Sequence, residues 1–321
     1  MNYIKPFWSR FTRRFTKIQN KPTNSPQTKN AITHRLKEWN RKLKQAGVGD
    51  RETNIKYLME SAISKNLPSY DSIKELELSE KQLNRFEELF KMRCDRRPLQ
   101  HIVGVWDFNG LPLKTNPAVF IPRPETEQFV SEVIRHYRNI SNPIEMLEVG
   151  CGSGAISMAM LRSIPFIRSS TAIDCCDDAI QLAKENAIKL KLSDRFQAFK
   201  HMVKENDYLP SPLKGKTYDL IISNPPFART DELSWLYPEV KCYENRIALD
   251  GGSDGLVVVR LVLHLSRFHL RSGGKLWLEL GNDQTPLVKT IVNLKHAENL
   301  RFLNSYKDRY GRERFVEIEK T

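Results

Sequence analysis

Two segments of this 321-residue chain carry residue types and spacings that can do chemistry, Glu148-Val-Gly-Cys-Gly-Ser-Gly154 and Asn224-Pro-Pro-Phe227. In the first, three alternating glycines close an apolar strand and open a helix. Such a turn lets the backbone approach a ligand closely, and the free N–H groups of the helix N-terminus face it. Gly150, Gly152 and Ala155 also satisfy the dinucleotide pattern G-x-G-x-x-G/A, so this loop alone serves NAD and S-adenosylmethionine equally well. Asp174, twenty residues past Gly154, ends the next strand, where its carboxylate can accept bonds from two ribose hydroxyls that either cofactor offers.

The second segment decides between the two. Asn224-Pro-Pro-Phe227 follows the apolar run Tyr218-Asp-Leu-Ile-Ile-Ser223, at the carboxyl end of a strand, where open α/β sheets bind ligands. Two successive prolines fix φ and offer no N–H, so the chain leaves the strand stiffly. The Asn224 amide and the Pro225 carbonyl are then presented as hydrogen-bonding groups, and Phe227 adds a flat face. An amide or exocyclic amine nitrogen has its lone pair delocalised into a π system. If the Asn224 side-chain oxygen and the Pro225 carbonyl oxygen accept its two N–H bonds, that lone pair can be aimed at a sulfonium methyl for in-line displacement. The planar acceptor stacks on Phe227. Orientation and preorganised acceptors supply the catalysis, with neither a metal nor a covalent nucleophile.

These residues must be positioned by a larger frame. From residue 144 the chain alternates strand and helix, the pattern of a mostly parallel sheet covered on both faces. Strands are predicted at Ile144–Val149, Thr171–Asp174, Tyr218–Ser223 and Lys275–Leu280, with helices beginning near Ala155, Cys176 and Asp254. A helix at Thr285–Lys295 leads to strands Leu300–Tyr306 and Arg314–Glu319, joined by a turn at Gly311. Upstream, Thr33 to about Arg97 is helical and polar-rich. Gly47 and Gly49 read as a helix stop and Asp50 as the next cap. Ser79-Glu-Lys-Gln82 reads as a capping box. Between these regions, residues 98–124 alternate: Pro98–Gly104 and Phe108–Leu113 bend around Asn109-Gly110, a hairpin cue. A helix from Glu127 to His136 follows, with Pro124 setting its entry.

Composition bounds the rest. The chain is 40% hydrophobic and 28% charged, which excludes disorder and a small disulfide scaffold. The net charge of +13 resembles that of a nucleic-acid binder. However, residues 1–37 hold nine Lys and Arg and no Asp or Glu, which leaves +4 on the remaining 284 residues. Ile4, Phe7, Trp8, Phe11, Phe15 and Ile18 share one helix face, opposite Lys5, Arg10, Arg13, Arg14 and Lys17. An Arg-rich, acid-free amphipathic start followed by the proline-broken run Asn20–Thr28 reads as a mitochondrial transit peptide and linker. The alternative is a surface-binding helix that stays attached. No stretch reaches the ~18 uncharged apolar residues of a membrane span. The five cysteines include no Cys-x-x-Cys, and neither they nor the scattered histidines have metal-ligand spacing, so no metal is expected.

With those residues in view, the chain resembles the HemK/PrmC family of class 1 peptide chain release factor glutamine N5-methyltransferases. The segments that carry the likeness are Arg97-Pro-Leu-Gln-His-Ile-Val-Gly104, Phe120-Ile-Pro-Arg-Pro-Glu-Thr-Glu127, Glu148 to Gly154, Ser223 to Phe227, Ala248-Leu-Asp-Gly-Gly-Ser-Asp-Gly255 and Asp308-Arg-Tyr-Gly-Arg-Glu-Arg314. The resemblance implies an α/β fold: a Rossmann-like class I methyltransferase with a seven-stranded, mostly parallel sheet and a small N-terminal helical domain. It implies S-adenosylmethionine as cofactor, held by Gly150, Cys151, Gly152, Ser153, Gly154 and Asp174, with Tyr208 beside the adenine and Asn224 at the cofactor's edge. Asn224, Pro225, Pro226 and Phe227 hold the substrate amide, and Asn224 and Pro225 are the catalytic pair. Arg123, Glu125 and Glu148 support them. The implied substrate is the glutamine of the Gly-Gly-Gln loop of a release factor, here a mitochondrial class 1 factor.

Two positions depart from the family pattern. Phe227 replaces the usual Tyr, which keeps stacking and loses a hydroxyl, and Asn245 stands where Pro usually follows Glu. The domain reading is transit peptide and linker at 1–30, helical substrate-recognition domain at 31–97, hairpin linker at 98–126 and methyltransferase domain at 127–321. A monomer in the mitochondrial matrix is expected, with neither a stable nucleic-acid partner nor an integral membrane segment. The rival reading is an amino methyltransferase of adenine or guanine in mitochondrial RNA or DNA, since Asn-Pro-Pro-Phe fits it equally well. A non-enzymatic assembly factor that keeps a cofactor fold is the third reading.

Overall fold

The computed structural model describes residues 26–205, 209–294 and 299–321. The amphipathic N-terminal stretch up to Ser25 and Tyr208 therefore lie outside the described residues. The chain divides into two compact units, with the boundary between Pro112 and Leu113.

The first unit is helical: α1 (Pro26–Gln45), α2 (Arg51–Ile63), α3 (Glu80–Cys94) and the short α4 (Leu99–Val103). Leu36, Trp39, Leu43, Val48, Ile55, Leu58, Met59, Phe86 and Phe90 form its core, as the apolar spacing predicts. The Ser79–Gln82 capping box is present, with both reciprocal bonds made. Asp50 sits at the start of α2 in the left-handed region without a side-chain cap, which corrects the expected capping role. Pro98–Gly104 is also corrected: it turns into α4 rather than running extended, because Pro98 stands just before the first helical turn and Gly104, at φ 75°, ends it. The hairpin is shifted accordingly, to β1 (Val105–Phe108) and β2 (Leu111–Lys114) around Asn109-Gly110.

The second unit follows in the order α5 (Pro124–Tyr137), β3 (Ile144–Val149), α6 (Ala155–Ser163), β4 (Ile167–Asp174), α7 (Asp177–Leu190), β5 (Phe196–Lys200) and β6 (Tyr218–Ser223). It closes with α8 (Pro238–Lys241), α9 (Val257–His269), β7 (Leu270–Glu279), α10 (Thr285–Asn293), β8 (Leu300–Lys307) and β9 (Glu313–Lys320). The seven-stranded sheet has the order β5-β4-β3-β6-β7-β9-β8. All neighbours are parallel except at β9, which runs antiparallel to both β7 and β8. This is the Rossmann-like, mostly parallel seven-stranded arrangement that the resemblance implied.

Strands buried on both faces read as apolar runs, and Leu220, Ile221 and Ile222 of β6 are fully enclosed. The short edge strand β5 has no counterpart among the predicted strands; Phe196-Gln-Ala-Phe-Lys gives too brief an alternation to stand out. β7 begins five residues before the predicted start, running through Gly273-Gly274, a pair that on sequence argues against a strand. Helix α9 starts at Val257 rather than Asp254, whose carboxylate accepts from the Leu256 N–H and pairs with Arg260.

Candidate active site

Chain order reverses at β3. From β3 the chain moves outward to β4 and β5, then crosses back to place β6 on the other side. The crevice at the carboxyl ends of β3 and β6 is therefore the topological switch point. Val149 and Ser223 pair at the last shared register position, and the Ser223 Oγ donates to the Val149 carbonyl at 2.7 Å. The glycine loop and Asn224-Pro-Pro-Phe227 thus leave neighbouring strands at the same level. The two segments that the sequence singled out are brought together by one strand pairing and one buried hydroxyl.

The loop is shaped to admit a ligand. Gly150 and Gly152 have φ of 74° and 51°, in the left-handed region that favours glycine. A Cβ at Gly150 would meet nothing within 4 Å, and one at Gly152 would meet only Val119 Cγ1 at 3.9 Å, so this backbone borders open space. Gly154 instead serves packing, since its missing Cβ leaves room for Ala183 of α7, 3.1 Å away. Asp174 closes the loop, accepting from the Gly152 N–H and the Cys176 N–H, each at 2.9 Å. Burial pushes its carboxyl up, and the backbone bonds from Gly152 and Cys176 oppose that shift. A carboxylate has about four lone-pair sites; the Gly152 and Cys176 N–H groups take one each, and Cys175 also bonds to it. Open backbone, helix N-terminus and acidic acceptor together fit S-adenosylmethionine.

Cys151 and Ser153 are both buried within the loop. Glu148 faces the other way, into the interior, where its carboxyl accepts from the Ser157 N–H at 3.0 Å and from the Ser157 hydroxyl. Burial drives it up to about 8 against those bonds. These bonds tie the end of β3 to the first turn of α6.

On the facing strand, Asn224 Nδ2 donates to Thr126 Oγ1 at 3.0 Å. Thr126 is 3% exposed and stands in the first turn of α5, between Glu125 and Glu127. That helix begins at Pro124 rather than Glu127, and the earlier start is what brings Thr126 to the site. Pro225 is buried, while Asn224, Pro226 and Phe227 are partly accessible. The Arg314 guanidinium lies over the Phe227 ring at 5.2 Å, so one ring face is covered. Arg314 also donates to the Leu280 carbonyl at 2.7 Å and reaches Glu279 at 3.4 Å.

The loop behind Phe227 is held by glycines and a glutamine. A Cβ at Gly255, φ 72°, would lie 2.4 Å from the Phe227 carbonyl oxygen and 2.5 Å from Gln284 Nε2. This is the Ala248–Gly255 segment that contributed to the resemblance. Arg123 pairs with the buried Glu244, which also accepts from the Ile121 N–H at 3.4 Å. Asn245, in place of proline, donates to the Ala118 carbonyl at 3.4 Å. Both therefore strap residues 118–123 to the 244–245 loop. Glu125 lies 4.0 Å from Arg309. The sequence assigned no role to Thr126, Glu279, Arg314, Gln284 or Glu244. Thr126, Glu244, Gly255 and Arg314 lie inside or beside the quoted motifs, and this was the available signal.

Comparison with known proteins gives the family. Residues 35–104 match the PrmC N-terminal domain, and residues 127–236 match the methyltransferase small domain. The chain is 36% identical over 250 residues to the MTRF1L release factor glutamine methyltransferase of Homo sapiens, covering 76% of this chain and 73% of that one. The chain belongs to the release factor glutamine methyltransferase family. Another relative, the release factor glutamine methyltransferase of Fusobacterium nucleatum, is 34% identical over 284 residues, 87% of this chain and 76% of its own. Among solved structures, the release factor-specific protein-(glutamine-N5) methyltransferase of Alicyclobacillus acidocaldarius aligns over 62% of this chain and 94% of that one, at 24% identity and a TM-score of 0.38. As a member of the release factor glutamine methyltransferase family, the protein is an S-adenosylmethionine-dependent methyltransferase.

Proposed function

We propose that this enzyme methylates the side-chain amide nitrogen of the glutamine in the Gly-Gly-Gln loop of a mitochondrial class 1 peptide chain release factor. The observation that carries the reading is the adjacency of Gly150 and Asn224 beyond the paired residues Val149 and Ser223. Bound S-adenosylmethionine supplies an electrophilic methyl on a sulfonium sulfur. Gly150 to Gly154, including Cys151 and Ser153, line its backbone side, and Asp174 takes its ribose hydroxyls. Tyr208 is the aromatic residue assigned to its adenine.

On the acceptor side, the Asn224 Oδ1 and the Pro225 carbonyl each accept one N–H of the substrate amide. Two acceptors in fixed positions would aim the nitrogen lone pair at the sulfonium methyl and favour the positive charge that builds on nitrogen. The methyl–sulfur bond pair would stay on sulfur and one N–H proton would leave the nitrogen to water. Pro225 and Pro226 keep both from drifting, and the free face of Phe227 stacks on the planar amide. Arg123, Glu125 and Glu148 support the surrounding loops without touching the reacting atoms.

The segment 31–97 serves substrate recognition, 98–126 links it, and 127–321 performs the transfer. Residues 1–30, acid-free and rich in Arg and Lys, direct the protein to the mitochondrial matrix, where it acts as a monomer. Among the described residues no helix is long and apolar enough to cross a membrane. Incubation with labelled S-adenosylmethionine and, separately, a mitochondrial release factor, total RNA and DNA tests the reading. Label is expected on the release factor; label on nucleic acid alone would replace this reading with an adenine or guanine amino methyltransferase.

A further inference from the structure

Asn224 can serve as an acceptor only if its carboxamide faces the right way round. The two ends of that group are similar in size and opposite in hydrogen-bonding character. Oδ1 toward the substrate accepts an N–H; Nδ2 toward the substrate repels it. The backbone of Asn224 does not decide this, since the terminal torsion of Asn is broad and roughly two-fold. Something adjacent must break the symmetry.

The residue placed to do so is Thr126. We propose that Thr126 is a positioning residue for methyl transfer: its hydroxyl, oriented by the Glu279 carboxylate, holds Asn224 with Nδ2 inward and Oδ1 free for the substrate amide. This rests on the reading of Asn224 as the amide acceptor and explains how the chain enforces it.

Three groups from three parts of the fold set this orientation. Asn224 Nδ2 is 3.0 Å from Thr126 Oγ1. A hydroxyl can donate one bond and accept two, so by itself Thr126 is satisfied by either end of the amide. Glu279, at the end of β7 and 1% exposed, removes that freedom. Its carboxylate neighbours the Thr126 hydroxyl, and its Oε2 is buried without a hydrogen-bond partner. When ionised, that carboxylate only accepts, and the Thr126 proton is then drawn toward Glu279. The hydroxyl then presents lone pairs to Asn224, and only Nδ2 can meet them. Arg314, on β9, lies 3.4 Å from Glu279 and favours its ionised form.

The groups facing Glu279 are Arg314 and Thr126, with Glu125 and Arg123 at longer range. Burial raises the Glu279 carboxyl and outweighs the lowering by Arg314 and Thr126, leaving it at about 7. Protonated Glu279 could donate to Thr126 and reverse the hydroxyl, so the arrangement is most secure above neutral pH. Arg314 is thereby tied to both parts of the acceptor site, through Glu279 to Asn224 and through its own guanidinium to the Phe227 ring.

The test compares Thr126→Val, which keeps the shape and removes the hydroxyl, with Thr126→Ser, which restores it. For methylation of the release factor, Thr126→Val is expected to lower kcat by about 10–100-fold. Affinity for S-adenosylmethionine and thermal stability should change little, and Thr126→Ser should recover most of the rate. Glu279→Gln, which can donate to Thr126, should lower kcat in the same way. The second readout needs no turnover: in ¹⁵N-labelled protein, the Asn224 side-chain amide protons should shift and exchange faster in Thr126→Val, with return toward wild type in Thr126→Ser. Unchanged kcat in Thr126→Val, or unmoved Asn224 amide signals, would overturn the proposal. A wild-type enzyme inactive on the release factor would instead overturn the proposed substrate, and the amide signals would still decide the role of Thr126.

Discussion

The Gln284 carboxamide donates to the Phe227 carbonyl at 2.9 Å and to the Gly255 carbonyl at 3.2 Å, while its oxygen accepts from the Gly281 N–H at 2.8 Å. One buried side chain at the start of α10 thus ties the acceptor loop to the glycine-rich segment behind it and to the end of β7. Gln284→Ala would leave these backbone groups without their partner. The expected cost is about 1–3 kcal/mol of stability for the groups stranded by the change. Turnover should fall with it, as Phe227 loses its anchor. Thermal unfolding and steady-state kinetics check both; a variant with wild-type Tm and kcat would show that the loop is held elsewhere.

Removal of the Asn224 side chain separates acceptor chemistry from cofactor binding. Asn224→Ala should abolish detectable turnover, whereas titration calorimetry should find S-adenosylmethionine affinity largely preserved. Complete loss of cofactor binding would make Asn224 a scaffold residue instead.

Asp174 joins two loops through its carboxylate, which accepts from Gly152 and Cys176. In Asp174→Asn one carboxylate oxygen becomes an NH₂ group that cannot accept, and a ribose hydroxyl loses its charged partner. A hydrogen bond to a charged group is worth about 1.5–3 kcal/mol, so affinity for S-adenosylmethionine should drop roughly 10–100-fold. Calorimetry that returns the wild-type affinity would contradict the assignment.

Glu148 gives a pH dependence of defined sign. Its carboxyl is raised by burial to about 8, against about 4.3 in an unfolded chain. Between these values the folded protein keeps a proton that the unfolded chain has released, so this residue's contribution to stability declines as pH rises through that window. Glu148→Gln preserves the acceptor for Ser157 and removes the titration. The Tm advantage of the variant over wild type should therefore be larger at pH 8.5 than at pH 5.5. An advantage equal at both pH values would mean that Glu148 does not titrate there.

The cofactor loop and the acceptor loop were legible in the sequence because each is local. Gly150 to Gly154 and Asn224 to Phe227 carry their chemistry within a few residues, and the apolar strands that precede them are plain. Their meeting at the carboxyl ends of β3 and β6 rests on the strand order, which the alternating pattern does not give. The supporting contacts were not legible either. Thr126 lies 98 residues from Asn224, and Arg314 lies 35 residues from Glu279. Both pairings depend on strand order and on where α5 begins. The start of α5 was itself obscured, because Pro122 and Pro124 mark a stiff entry without saying which residue takes the first helical turn. Likewise Leu99, Ile102 and Val103 are spaced i, i+3, i+4 like a helix, but five residues are too few for that periodicity to stand out against the extended reading. Asp50 is a favoured capping type, yet its left-handed backbone turns the side chain away from that role.

The central claim is that the acceptor atom is the side-chain amide nitrogen of one glutamine. Purified enzyme, S-adenosylmethionine and a mitochondrial release factor should be reacted, and the modified residue mapped by tandem mass spectrometry. The expected product carries a single methyl on the amide nitrogen of the Gly-Gly-Gln glutamine, absent with Asn224→Ala enzyme and absent when that glutamine is Ala. A methyl on any other residue, or one that persists when that glutamine is replaced, would contradict it.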